Sequence, residues 1–158
     1  MTHIAEVYWE ADGDVLAGQY SRAHSWHFDG GAIVPASASP DIVPVPYSQP
    51  AAVDPEEAYV ASLASCHMLW FLDFARRAGF APESYTDHAV GHMERTADGG
   101  LWVARVDLSP YTVWAGEGPT KEQEEALHHQ AHGACFIASS VKTEIVVTVS
   151  EYQEAVSE

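Results

Sequence analysis

Apolar and polar positions alternate through the first thirty residues of the chain and then give way to a long run of helical character. Residues 5–11 and 20–28 are rich in aromatics and alternate at period two, which predicts two strands, with Asp12-Gly13-Asp14 in the connection between them. Asp29-Gly30-Gly31 marks a turn, and Ala32-Ile33-Val34 is expected to begin a third short strand. Six prolines between Pro35 and Pro55 exclude helix and central strand there, and the apolar residues interleaved among them predict an ordered loop and not a linker.

Asp54-Pro55-Glu56-Glu57 supplies an N-cap residue, a proline at the first helical position and carboxylates in the first turn, so a helix should start there and run to about Ala78, with Gly79 as its stop. Glu57 is expected to be a solvated neighbour of Glu56. From Val60 to Phe74 only Ser62, Ser65, His67 and Asp73 are polar, and a helix apolar nearly all round is buried on several sides. Residues 84–95 and 101–115 predict a long hairpin turning at Asp98-Gly99-Gly100. Thr120 is expected to cap an amphipathic helix from Lys121 to His132 that Gly133 ends; a short second turn follows between Cys135 and Lys142, and Glu144–Val149 forms the last strand.

Strands, a long helix, a hairpin, a second helix and a final strand, without regular βαβ alternation, predict an α+β fold: a mainly antiparallel sheet packed on helices, in one domain over residues 1–158. One sheet covers only part of an all-apolar helix, so two chains are expected to share their central helices as an obligate homodimer.

Composition narrows the function. Against 23 acidic residues the chain has 7 basic ones, a formal net charge of −16, which repels nucleic acid and anionic membrane surfaces alike. No apolar run of about 20 residues and no basic-then-apolar N-terminus are evident, so a cytosolic protein without membrane partners is expected. Two cysteines, Cys66 and Cys135, are too few for a secreted disulfide framework, and a disulfide between them would be transient and chemical.

A reactive cysteine must be a thiolate, yet a free thiol with a pKa of about 8.5 is only a few per cent ionised at neutral pH, so a positive group is needed near Cys66. The helix dipole gives little at mid-helix. Of Arg22, Arg76, Arg77, Arg95 and Arg105, the pair Arg76 and Arg77 lies about 15 Å or more along the same helix, beyond side-chain reach. The segment from Asp54-Pro55-Glu56 to Cys66-His67-Met68 resembles the signature of the OsmC/Ohr family, in which Asn/Asp-Pro-Glu opens a helix and the reactive cysteine follows ten residues after the Glu. The segment His132 to Lys142, with Cys135 near its start, resembles that family's second-cysteine segment. The resemblance implies an OsmC-like fold wrapped on a long central helix in an intertwined dimer, and a thiol-dependent peroxidase without cofactor or metal. Cys66 would attack a hydroperoxide, organic before inorganic; Cys135 would resolve the sulfenic acid; Arg22, matched by region, would orient the peroxide and pair with Glu56; a lipoyl-type or other dithiol would reduce the disulfide. A helix-start position for Cys135 would favour its thiolate.

Departures from the family bear on activity. His67 stands where many relatives carry an apolar aromatic and is expected to be a core or dimer-interface histidine, since it points about 100° from Cys66 around the helix. The proline loop 35–53 replaces a shorter glycine-rich stretch. His128, His129 and His132 make a zinc site geometrically conceivable, but neither HExxH nor CxxC occurs, and an interface or solvated histidine cluster is expected instead. His24 and His27 point to offset strand faces, and His88 and His92 lie about 13 Å apart on a strand. The alternative to a peroxidase on this fold is a non-enzymatic small-molecule-binding or redox-sensing protein.

Overall fold

The computed structural model describes residues 1–151. The chain forms two compact units, Met1–Ala58 and the residues from Tyr59 onward. In the first, strands β1 (Ala5–Tyr8), β4 (His24–Phe28) and β5 (Ile33–Ala36) form an antiparallel sheet in the order β1-β4-β5. Between β1 and β4 lies a small hairpin that the alternation does not reveal, β2 (Gly13–Asp14) with β3 (Gln19–Tyr20). Gly13 makes it feasible: its φ is 108°, and a Cβ there would stand 2.3 Å from the Gln19 carbonyl oxygen.

Pro35 does enter a strand, but an edge strand, where a missing N–H breaks no central ladder. The proline loop then returns along that edge. Val53 donates to the Pro35 carbonyl and accepts from Ser37 N–H, and the buried Ser37 hydroxyl accepts from Gln49 N–H. These bonds fix the loop as an ordered segment. It delivers the chain to Asp54, whose carboxylate accepts from Glu57 N–H at 2.8 Å while the Glu57 carboxylate accepts from Asp54 N–H at 3.1 Å. Glu57 is therefore the reciprocal half of a capping box and not a merely solvated neighbour.

Helix α1 spans Pro55–Arg77. Gly79, at φ 88°, closes its C-terminus, with Phe80 N–H returning to the Ala75 carbonyl. By length and hydropathy alone α1 would suffice to cross a bilayer, which the count of apolar residues had not suggested. Its buried residues Leu63, His67, Phe71 and Ala75 recur every fourth position and mark it as a core helix. In the second unit Leu63 packs on Val106 and Leu108, and Phe71 and Ala75 pack on Leu127 and Ala131. Within one chain only that stripe is buried; Leu69 is 60% exposed.

The expected long hairpin is two ladders. Strands β6 (Pro82–Asp87) and β9 (Pro110–Trp114) pair with each other, while β7 (Val90–Arg95) pairs with β8 (Leu101–Leu108). At the break the Asp87 carboxylate accepts from Ser109 N–H at 2.7 Å, so a side chain occupies the donor that would continue the ladder. Strand β10 (Glu144–Val147) joins the other side of β8 in parallel, giving the order β10-β8-β7. α1 approaches β7 closely, for a Cβ on Gly91 would meet Val60 Cγ2 at 2.6 Å. Helix α2 (Lys121–Ala134) begins with a capping box between Thr120 and Gln123. It does not stop at Gly133: that glycine keeps a negative φ, and the helix ends only when Cys135 turns extended at φ −65°, ψ 116°. The architecture is α+β and mostly antiparallel, as the sequence suggests.

Candidate functional site: a thiol pair beside a histidine couple

Cys66 lies in the middle of α1, one position from the buried stripe and therefore half-buried. Cys135 sits at the C-cap of α2 and is fully buried. The two side chains are close enough for Cys66 to raise the pKa of the Cys135 thiol, and both are free thiols. Cys135 opens a 3₁₀ turn, Ala138–Ser140: its Sγ accepts from Ala138 N–H at 3.4 Å, and its carbonyl accepts from the Ser139 N–H and hydroxyl.

That turn contributes little ionising power. Burial pushes the Cys135 thiol up to about 11, the neighbouring Cys66 acts in the same sense, and the N–H groups of Ala138 and Ile137 oppose them without reversing the shift. Cys135 is thus a protonated thiol at neutral pH, a correction to the expectation that its position after a helix break would favour a thiolate. Trp70, one turn beyond Cys66, meets Phe136 edge to face at 5.4 Å, and Phe136 remains exposed. Trp70 from α1 and Phe136 from the segment that follows α2 thus join the two cysteine-bearing stretches.

Arg22 follows β3 in the first unit. Its guanidinium donates to the carbonyls of Gly18 at 3.1 Å and Tyr20 at 2.5 Å and lies 3.6 Å above the Tyr20 ring. It borders a mostly apolar pocket of about 540 Å³ walled by Val7, Trp9, Val15, Tyr20 and Pro55. Glu56 is half-buried in the first turn of α1. Among the described residues the structure does not join Arg22 and Glu56 in an ion pair; backbone carbonyls occupy the arginine instead.

His67 is a core histidine, 1% exposed, and it is not alone. Its Nε2 is 2.9 Å from Nδ1 of His128, which is 3% exposed and stacks on Phe71 with ring centroids 3.9 Å apart. Burial, then the charge of His132, lowers the pKa of His67 to about 4; burial, then His67, lowers that of His128 to about 3. Both imidazoles are neutral. The signal for His67 was its place on the i, i+4 stripe with Leu63 and Phe71; His128 sits beside Leu127 and three before Ala131, on the buried face of α2. Their mutual contact has no local signature. Among the described residues no three His, Cys, Asp or Glu side chains converge to hold a metal ion.

A family model described as OsmC-like protein matches residues 48–150, more than half of the chain and both cysteine segments. The chain belongs to the OsmC-like family. An OsmC-like protein of unknown function from Vibrio cholerae is 49% identical, with 95% of this chain and 99% of that one aligned at a TM-score of 0.92. Organic hydroperoxide resistance proteins share the OsmC-like fold at lower identity. The one from Legionella pneumophila is 20% identical with 95% and 97% of the chains covered at a TM-score of 0.69, and the one from Elizabethkingia anophelis is 18% identical with 96% and 99% covered at 0.70. No curated protein sequence matches the chain.

Proposed function

We propose that this OsmC-like protein is a thiol-dependent peroxidase that reduces organic hydroperoxides. The contact between the Cys66 and Cys135 thiols carries the reading, because a two-cysteine cycle requires the second sulfur within bonding reach of the first. Since Cys135 holds its proton, Cys66 is the attacking sulfur. Its thiolate displaces alkoxide from the terminal peroxide oxygen; the sulfur is oxidised to sulfenic acid, the O–O bond breaks, and the alkoxide takes a proton to leave as alcohol. Cys135 then forms the S–S bond, and its proton leaves with the departing hydroxyl as water. An external dithiol, of lipoyl or similar type, returns both sulfurs to thiols and is itself oxidised.

Membership of a family that includes proteins named for organic hydroperoxide resistance supports the substrate class. Arg22 is assigned to orienting the peroxide and Glu56 to positioning that guanidinium, a pairing that would form in the working enzyme and not in the free chain. The apolar surface that α1 leaves uncovered around Leu69 supports a homodimer in solution, and a reducing cytosol suits a site that begins each cycle as two thiols.

The test is consumption of cumene hydroperoxide with a dithiol. Cys66→Ser should abolish turnover. Cys135→Ser should retain one equivalent of peroxide consumption and lose the disulfide. Turnover at the wild-type rate in Cys66→Ser would refute the proposal.

A further inference from the structure

Seven positions removed along α2 from Cys135, the His67–His128 couple leaves a chemical loose end. One imidazole donates in their shared hydrogen bond and the other accepts, so each ring has one nitrogen left over. Those nitrogens, His67 Nδ1 and His128 Nε2, are buried and have no partner among the described residues, and His132 Nδ1 is in the same condition. A buried polar atom without a partner costs about 1–3 kcal/mol, which makes three of them in one neighbourhood a sign that something else binds there.

His128 also lines a cleft of about 480 Å³ between α2 and β10, within the range of small-molecule sites. Its two walls differ in kind. His128, His129 and His132 present imidazoles from α2, while Ile145, Val147 and Val149 present branched aliphatic side chains from the last strand and its continuation. Because Nδ1 of His128 is committed to His67 and the ring face to Phe71, Nε2 is the atom left to meet an occupant.

The couple itself restricts what that occupant is. If His67 donates, His128 Nε2 carries the hydrogen; if His128 donates, Nε2 is bare. A hydroxyl, which donates and accepts, satisfies either arrangement, whereas a carbonyl meets only the first and an ammonium only the second. Charge points the same way: the buried imidazoles are neutral, Lys121 and Glu125 stand together at the cleft, and the net charge of −16 opposes anions.

We infer that the cleft between α2 and β10 is a second binding site, separate from the thiol pair, for a small uncharged alcohol or phenol whose hydroxyl bonds His128 Nε2 and whose apolar body lies on Ile145, Val147 and Val149. The inference does not rest on the peroxidase reading, since neither cysteine lines the cleft.

Benzyl alcohol serves as the probe, titrated into the full-length reduced protein and followed through the imidazole nitrogens by long-range ¹H–¹⁵N correlation. Saturable binding is expected with a dissociation constant on the order of a millimolar for so small a ligand. It should displace the His128 Nε2 resonance above all others. Toluene, which lacks the hydroxyl, and benzoate, which is anionic, should bind about tenfold or more weakly. His128→Phe removes the nitrogens while keeping a ring on Phe71, and Val147→Trp fills the cleft from the opposite wall without touching the couple; each should abolish the response. No saturable binding would mean that water alone satisfies His128. Equal binding of toluene, or unchanged affinity in a folded Val147→Trp protein, would likewise overturn the inference.

Discussion

Acidification should destabilise this protein through two particular side chains, and the size of the effect follows from where they sit. His67 and His128 are buried, hydrogen-bonded to each other and neutral, with pKa values lowered from 6.5 to about 4 and about 3 by burial first and by a neighbouring histidine second. A depressed folded-state pKa means that the unfolded chain binds protons that the folded chain refuses. The stability contributed is therefore fully present above pH 6.5 and is lost as pH falls toward the folded values. At pH 5 both folded values still lie below the ambient pH, so each site loses about 1.4 kcal/mol per unit across 1.5 units, or about 2 kcal/mol, and the two together about 4 kcal/mol. That figure depends only on both sites staying neutral at pH 5. Urea denaturation at pH 7.5 and pH 5 measures it, with His67→Leu/His128→Leu as the comparison, because exchanging both partners for apolar groups of similar volume leaves no orphaned polar atom between them. The wild type should lose about 4 kcal/mol more than the double variant between the two pH values. Equal losses would show that the couple is hydrated or protonated in the folded state.

Three further outcomes are expected. In Cys66→Ser, alkylation of Cys135 by a small maleimide should be slow at pH 7 and quicken as the pH is raised, since burial, the largest cause of its raised pKa, persists without the Cys66 sulfur; rapid labelling at pH 7 would contradict its burial. Gly13→Ala should lower stability by more than the roughly 1 kcal/mol of an ordinary left-handed glycine, because the added Cβ meets the Gln19 carbonyl at 2.3 Å, and a thermal melt would show it. Asp54→Ala removes half of the capping box and should cost about 1 kcal/mol in the same measurement.

The parts of the fold written in the sequence are those whose cause is local. Asp54, Pro55 and Glu57 start α1, Gly79 ends it, and Thr120 with Gln123 starts α2; each acts within three or four residues. The parts that were not legible depend on distant partners. Asp87 interrupts its hairpin by binding Ser109, 22 residues away, and β10 lies parallel to β8 because the chain returns to that side of the sheet. The site divides in the same way. Resemblance to the OsmC/Ohr segments singled out Cys66 and Cys135, but neither the protonated state of Cys135 nor the contact between His67 and His128, 61 positions apart, has any imprint on nearby residues. The Gly18 and Tyr20 carbonyls that Arg22 holds are likewise set by the turn on which it sits and left no signal in the sequence.

The thiol pair and the imidazole couple follow from one feature of α1. Positions 63, 67, 71 and 75 form the stripe that the core requires, and positions 66 and 70 lie about 100° to its side, so one helix gives a dry face and a half-wet one. A histidine on the dry face loses its charge; a cysteine on the adjoining face meets a second thiol that burial holds protonated. Such a thiol is a weak nucleophile in isolation, yet within the proposed cycle its high pKa is useful. Once Cys66 is a sulfenic acid, the group that must leave is hydroxide, and a protonated thiol beside it supplies the required proton in the step that forms the S–S bond. A resolving thiol already ionised would have to expel hydroxide unaided. Lowering the pKa of Cys135, for instance by Ser139→Lys beside it, should then speed alkylation of Cys135 without speeding disulfide formation; a parallel rise in both rates would show that nucleophilicity, and not proton delivery, limits resolution.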